Sequence, residues 1–380
     1  MAVLKRRYSP VQLGLLILLG AALLAPLLGQ ASTAQSGDQA RYLPALLQGT
    51  NWLWLLVLIV PAWAPWRRQD GRLHLCLLLA VVLLDYAMLR LAGQTAQRLL
   101  PDDAAAGRVS LGAGFWLLQL YAVLQGRESL RQLELSRPLC WLTACLLCLP
   151  LIWLLHSGQC DQLSLLRAYR RHATTVDQAL WRHLLLLLLT MLPATVLGTV
   201  LGLACDEHPR MARQLLAVLK ALQTLPALAV CAVLFVLLGP GSHDAARVSI
   251  MPSLLVLLLF ALPPVAQGTL AALRQIPRTA RDSARGIGLT EWQCFRQVEL
   301  PLGLPVYLSA LRTTTLQTIG LAAVAALIGA GGLGTLLFEG LSARAVDLIG
   351  LGVLPIVLLA MLVDASFRLA ISLIGVPPHD

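Results

Sequence analysis

The sequence predicts an all-α polytopic membrane protein of about ten transmembrane helices, and three observations carry that reading. Of 380 residues, 58% are hydrophobic and only 13% charged, with a mean hydropathy of +0.75, whereas a soluble domain carries about 25% charged residues. The apolar residues arrive in runs of roughly 20, the length a helix needs to cross about 30 Å of hydrocarbon. Leucine dominates those runs without the period-two alternation of a β-barrel. Backbone groups in lipid must be satisfied within their own segment, so the spans are helices.

The first apolar run, Val11–Gly29, follows Lys5, Arg6 and Arg7. That order resembles a secretory signal, with Gly29-Gln30-Ala31 as a small-residue cleavage site. The run is long for such a signal and another span follows soon after, so it reads as an uncleaved first span, with cleavage the alternative. Further spans follow at about Asn51–Trp66, Leu73–Leu91, Leu111–Leu124 and Pro138–His156. Between them lie Arg67, Arg68 and Arg72, then Arg127, Arg131 and Arg137. With the amino terminus inside, both basic loops fall in the cytoplasm, as the positive-inside rule asks. The polar stretches at 30–49 and 92–110 fall outside.

The segment from Ser157 to His183 carries Arg167, Arg170, Arg171 and Arg182, and this topology places it outside, against the rule. Longer loops weigh less in setting orientation. The segment marks a boundary between a membrane domain at 1–156 and a second at 157–380. The second reads as five more spans: Leu184–Ala204, Leu215–Leu238, Ser249–Gln267, Leu304–Ile328 and Leu348–Leu373. The net charge of +10 is accounted for by arginines between spans rather than by a nucleic-acid partner; Lys5 and Lys220 are the only lysines. Of eight cysteines, Cys140, Cys145 and Cys148 cluster within an apolar run. A metal or redox site would need further ligands at matching spacing, so packing is the better reading.

The longest polar interruption of the second half, Ala271–Pro301, carries Arg274, Arg278, Arg281, Arg285 and Arg296, which places it in the cytoplasm. Thr279 and Asp282 form a T-x-x-D capping pattern for a short helix, ending near Gly286 or Gly288, where glycine permits a left-handed terminus. Thr290 and Gln293 make a second cap, opening a helix through Val298 that Pro301 ends. Two short helices joined at glycine make a rigid hairpin able to transmit force to a partner.

Asp282-Ser283-Ala284, three residues, Gly288, then Val298-Glu299-Leu300-Pro301 is similar to the EAA loop of ABC importer permeases, with matching spacing throughout. Asp282, Ser283 and Val298 are mild departures from that family's Glu, Ala and Ile. The resemblance implies that the first helix of this loop docks on a cytoplasmic ATPase and couples hydrolysis to transport. It covers about 157–380: Gln223-Thr224-Leu225-Pro226-Ala227-Leu228-Ala229 and the stretch Ala326–Gly334 look like segments of osmoprotectant permeases, which import glycine betaine, choline and related solutes. It therefore implies a five-helix importer permease core, preceded here by an extra five-helix membrane domain like that of the longer YehY-type permeases. It also implies a second permease subunit, identical or related, a periplasmic solute-binding protein, and ATP with Mg held by separate ATPase subunits in a bacterial inner membrane. Quaternary ammonium solutes would be held by aromatic faces, mainly in the binding protein; Trp181, Phe235 and Tyr307 are this chain's own aromatic candidates.

Gly329-x-Gly331-x-x-Gly334 matches a dinucleotide fingerprint as a string, but that fingerprint needs a preceding strand and a βαβ unit. Here a span precedes it, so Gly329, Gly331, Gly332 and Gly334 read as a turn or gate. No G-x-x-x-x-G-K-[ST] string occurs, so the chain lacks the phosphate-binding lysine of a P-loop. The expected subunit is not an enzyme and holds no cofactor or metal of its own. Ionisable residues within spans are candidates for ion or solute pathways: Asp364 and Arg368, four apart on one helix face, and Arg312 and Asp85. A neutralised structural pair explains Asp364 and Arg368 equally well. The alternatives are a methionine- or amino-acid-type importer and a proton-coupled secondary transporter; no paired-carboxylate or His-rich motif supports an intramembrane enzyme.

Overall fold

The computed structural model describes residues 9–32, 35–46, 49–67, 70–99, 107–133, 143, 149–238 and 250–374. The chain forms two compact units, Met1–Arg171 and His172–Asp380.

In the first unit, α1 (Pro10–Leu24) opens with Pro10 at its first helical position, and the Ser9 hydroxyl accepts from the Gln12 amide. Gln12, Leu15, Leu19 and Ala22 are buried, at the spacing of one helix face. Helix α2 (Leu43–Leu46) is a single turn. The stretch 51–66, read from sequence as one span, is instead a 3₁₀ segment (Gly49–Leu58), the short α3 (Ile59–Trp63) and a 3₁₀ turn (Ala64–Trp66). Pro61 and Pro65 each remove an amide donor there, which disfavours a continuous α ladder. Helix α4 (Gly71–Leu99) and helix α5 (Ala113–Gln132) pack together and α1 packs on α5. Their shared core includes Leu19, Leu84, Leu91, Leu118 and Tyr121. Most of the expected span Pro138–His156, with Cys140, Cys145 and Cys148, lies outside the described residues.

The stretches read as loops contain a small antiparallel sheet. Its central strand β1 (Leu28–Ser32) pairs with β2 (Gln35–Arg41) and with β3 (Gly107–Leu111). Leu28 faces Arg41 on one side and Leu111 on the other. Arg41 Nε and Nη2 donate to Gln30 Oε1 at 3.0 and 2.7 Å, tying β1 to β2. These strands are too polar and glycine-rich for alternation to announce them, and the β1–β3 ladder joins residues some eighty positions apart.

Among the described residues of the second unit every regular element is a helix. Helix α6 (Ser164–Glu207) enters it through a bend at His172 and is followed by α7 (Pro209–Thr224) and α8 (Ala227–Leu238). Leu225-Pro226 interrupts the expected span Leu215–Leu238, since proline disfavours helix in the residue before it. Then come α9 (Ile250–Arg274), α10 (Arg278–Gly286), α11 (Glu291–Cys294), α12 (Leu300–Ala325), α13 (Leu333–Ser342) and α14 (Val346–Leu373). α9 packs along α12, and α13 along α14. At Gly268 a Cβ would sit 2.1 Å from that of Ala310. Such contacts between small residues let helices associate where lipid offers no hydrophobic driving force.

Among the described residues five helical stretches are long and apolar enough to cross a membrane: Gly71–Leu99, Ser164–Glu207, Ile250–Arg274, Glu291–Ile328 and Val346–Leu373. Shorter apolar helical stretches are Pro10–Leu24, Leu53–Trp66 and Leu333–Ser342. The protein is an all-α multi-pass membrane protein, the small sheet apart.

Candidate functional site

The segment between α9 and α12 folds as a hairpin. Helix α10 starts one residue before Thr279: Pro277 is its N-cap, and the Pro277 carbonyl accepts from the Ala280 and Arg281 amides at 3.0 and 3.4 Å. The expected Thr279–Asp282 cap is therefore not made. Proline's fixed φ and extended ψ already set the helix start, which leaves Thr279 inside the helix and Asp282 in its middle.

The other end follows expectation. Gly288 adopts φ +86°, Leu289 N donates to Ala284 O at 3.2 Å, and Gly288 N donates to Arg285 O at 3.0 Å. This is a Schellman terminus. Thr290 then caps α11 in both directions: Gln293 N donates to Thr290 Oγ1 at 3.4 Å and Thr290 N to Gln293 Oε1 at 2.9 Å.

Pro301 does not end the second helix. A π-turn at Phe295–Glu299, closed by Leu300 N donating to Phe295 O, joins α11 to α12 without a break. The wider turn gives room for a proline ring that would clash with the carbonyl four residues back in an α-helix.

Side chains lock the hairpin. Arg281 Nε lies 2.9 Å from Glu299 Oε1, and its Nη2 donates to the Leu273 carbonyl at 3.2 Å, so α10 is held to both flanking helices. Gln275 Nε2 donates to the Leu302 carbonyl at 2.9 Å. Arg285 reaches Glu291 at 3.0 Å on the exposed side, a pair that water screens; the Glu291 carboxylate raises the Arg285 pKa, keeping it charged.

Ala284 points inward at 4% exposure, while Asp282, Ser283 and Gly288 are exposed. Ile287 at 79% and Trp292 at 69% exposure give the hairpin an apolar tip. Val298 is half-buried, and Leu300 and Pro301 are exposed. The motif residues thus form one continuous structure, with a packed inner face and an open outer one.

A second feature is the turn between α12 and α13. Gly329, Gly331 and Gly332 all have positive φ, +84°, +78° and +81°. A Cβ on Gly334 would lie 2.0 Å from the Ala323 carbonyl. Arg182 Nε, on α6, donates to the Ala330 carbonyl at 2.9 Å. A Cβ on Gly331 would come within 2.6 Å of the same Nε, and one on Gly332 within 3.2 Å of His183 Nδ1. From sequence Arg182 is only a charge that bears on topology and the fully buried His183 carries no signal; nothing local in the sequence marks a contact across 148 residues. A helix, not a strand, leads into these glycines, so no dinucleotide fold forms here.

The ionisable residues sort differently from expectation. Asp364 pairs with Arg368, but also with Arg312, whose Nε and Nη2 each lie 2.5 Å from Oδ1; Arg368 reaches Oδ2 at 2.6 Å. One carboxylate thus serves two guanidinium groups. Asp85, in the first unit, is buried and accepts from Gln119 Nε2 at 3.4 Å. Of the aromatic candidates, the Tyr307 hydroxyl bonds Thr199 Oγ1 at 2.7 Å inside the second unit and Trp181 is exposed; the Phe235 side chain lies outside the description. Among the described residues no three His, Cys, Asp or Glu side chains gather into a metal-binding group.

Comparison with known proteins places this architecture. Residues 194–375 match the binding-protein-dependent transport system inner membrane component family. Residues 6–166 match the family described as the N-terminal domain of the ABC transporter permease YehY. The osmoprotectant import permease protein OsmW of Salmonella typhimurium is 36% identical over 48% of this chain and 84% of its own length. The carnitine transport permease protein OpuCB of Listeria monocytogenes is 32% identical over 48% and 81%. The glycine betaine/carnitine/choline transport system permease protein OpuCD of Bacillus subtilis is 32% identical over 52% and 82%. A chain of the MetNI methionine ABC transporter, solved in an inward-facing conformation, is 22% identical, with 53% of this chain and 96% of that one covered and a TM-score of 0.46.

The chain belongs to the binding-protein-dependent transport system inner membrane components. It is a multi-pass permease subunit of an ATP-driven importer in the bacterial inner membrane.

Proposed function

We propose that this permease carries glycine betaine, choline or carnitine-type osmoprotectants, and that the hairpin at 271–301 is its coupling element. The observation carrying the second part is the hairpin itself. A Schellman terminus and a capping box hold its two helices, the Arg281–Glu299 ion pair braces it, Ile287 and Trp292 stand exposed at its tip, and Asp282 and Ser283 are exposed along its outer face. An exposed apolar tip outside the spans fits a protein partner better than water. That partner is a cytoplasmic ATPase that binds ATP and Mg; Gly288, Ala284, Val298, Leu300 and Pro301 shape the hairpin rather than touch solute. Two permease subunits, identical or related, enclose the pathway, and a periplasmic binding protein delivers the solute. The division of labour is a permease domain at 157–380 and an accessory membrane domain at 1–156. Gly329, Gly331, Gly332 and Gly334 form a turn able to act as a gate.

The solute class rests on the relatives named above, whose own substrates are osmoprotectants, carnitine and choline. The test is reconstitution of the full chain with its ATPase and binding protein, followed by uptake of labelled glycine betaine, choline, carnitine and methionine. ATP-dependent uptake of the quaternary ammonium solutes, and not of methionine, is expected. Methionine uptake alone would replace the solute class; uptake driven by a proton gradient without the ATPase would overturn the importer mechanism.

A further inference from the structure

On most spans of the second unit the outward face is what lipid requires. Leu188, Leu192 and Val196 on α6 and Leu358, Met361 and Leu362 on α14 are exposed large apolar side chains. Helix α12 differs. No large hydrophobic residue is exposed between Leu302 and Leu327. Its exposed residues there are Ser309, Thr313, Gln317 and Gly320. Spacings of four, four and three put all four on one helix face.

Counted from Pro301 at 1.5 Å per residue, the stripe runs from about 12 Å to about 28 Å along the helix, through the depth of the hydrocarbon. The Gln317 amide makes no hydrogen bond among the described residues, and a Cβ on Gly320 would meet nothing within 4 Å. An amide facing acyl chains would leave its donors and acceptor unmet at several kcal/mol.

A second observation points the same way. Arg312, beside Thr313 on the same helix, shares Asp364 with Arg368, leaving the group one positive charge in excess. Arg368 is 47% exposed and Arg312 29%. Charges at membrane depth face protein or a water-filled cavity, not lipid.

We propose that the Ser309–Thr313–Gln317–Gly320 face of α12 borders the water-filled solute pathway. The Ser309 hydroxyl and the Gln317 amide replace water around a zwitterionic quaternary ammonium solute, Thr313 Oγ1 only accepting because it already donates to the Ser309 carbonyl at 3.0 Å, while the unbalanced Arg312–Asp364–Arg368 group favours the solute's carboxylate end. The inference rests on the importer reading and adds the surface along which the solute passes. The face is polar where a face packed against lipid would be leucine-rich.

The test is cysteine accessibility in the full-length chain in membrane vesicles. Ser309→Cys, Thr313→Cys and Gln317→Cys are compared with Leu362→Cys, using two membrane-impermeant methanethiosulfonates, one bearing trimethylammonium and one sulfonate. Modification is read position by position by mass spectrometry, so native cysteines do not interfere. Ser309→Cys and Thr313→Cys are near-isosteric and keep the fold. A thiol against lipid stays protonated, and each unit of raised pKa costs tenfold in thiolate, so α12 positions should react at least about tenfold faster than Leu362→Cys.

Reaction of the α12 positions only with a lipid-soluble maleimide would make this a lipid face and end the proposal. Oxidation of Gln317→Cys to a disulfide-linked dimer, without labelling by either charged reagent, would make it a packed surface between copies and also end it. Uptake of glycine betaine by wild-type vesicles, measured in parallel, reports on the importer reading separately. Failure there with labelled α12 cysteines would leave the pathway surface standing and remove the solute assignment.

Discussion

Arg182 donates from Nε to the carbonyl of Ala330 at 2.9 Å, joining α6 to the glycine turn that precedes α13. Ala330 is fully buried, and Gly329, Gly331 and Gly332 around it all have positive φ, while the Thr335 hydroxyl donates to the Gly332 carbonyl at 2.8 Å, so the turn is held by two side-chain hydrogen bonds and by backbone shapes open to glycine.

Removing the Arg182 bond should loosen the turn without unfolding the subunit. Arg182→Leu is expected to cost about 1.5–3 kcal/mol, the range for a hydrogen bond to a charged group. Thermal unfolding of the purified subunit and uptake measured together check this. Unchanged values in both would show that the bond holds nothing.

Gly331→Val and Gly332→Val should be more severe. A β-branched residue at φ near +80° is strained, and the new side chain would enter space held by Arg182 or His183. A loss of about 2–4 kcal/mol or of membrane insertion is expected, with Gly→Ala milder at both positions. Normal uptake by the Val double variant would remove the turn from any gating role.

The hairpin makes a distinct prediction about coupling. Gly288→Asp places a side chain at φ +86°, and Asp282→Lys reverses a charge on the exposed outer face. Neither touches a span, so insertion should survive while solute-stimulated ATP hydrolysis in the reconstituted complex falls by tenfold or more, equivalent to about 1.4 kcal/mol of lost coupling. Because Asp282 lies mid-helix, its effect runs through the docking face and not through the helix dipole. Wild-type hydrolysis in both variants would show that this hairpin is no coupling element.

The ion pair bracing the hairpin can be measured directly. Arg281 and Glu299 are mostly shielded from water, and α10 depends on them for its attachment. A double-mutant cycle of Arg281→Gln and Glu299→Gln should give a coupling energy of about 1 kcal/mol or more in stability. The exposed Arg285–Glu291 pair should give close to none.

Cys160, in the turn before α6, offers a pH test. Burial, with a smaller contribution from the charge of Asp161, pushes its thiol up to about 11. A raised thiol pKa means that the protonated, unreactive form prevails at neutral pH and the thiolate appears only as pH approaches that value. Its alkylation in the folded protein should therefore be slower than that of an ordinary thiol by roughly 10²-fold at neutral pH, rising with pH. Fast labelling at neutral pH would show the turn to be open.

Much of this protein is local in origin and therefore legible in the chain. Run length and composition decide that α4, α6, α9, α12 and α14 are apolar helices, because the bilayer sets helix length. The Thr290–Gln293 box and the left-handed Gly288 are decided within a few residues, so spacing announced both. The start of α10 escaped because two local signals competed, and Pro277 set the backbone before Thr279 could cap it. Pro301 escaped because a π-turn upstream absorbed the ring that should have ended the helix.

Tertiary structure alone decided the rest. The sheet of β1, β2 and β3 exists because distant polar stretches satisfy one another's backbone groups, which no window along the chain reveals. Arg182 meets Ala330, and Arg312 joins Asp364 and Arg368, only once helices from distant parts of the chain pack side by side. The sequence determined that these charges lie in or beside spans. Which of them pair, and which face of α12 is left polar and open, follows from packing, because a side chain's partner is set by the neighbouring helix and not by its own.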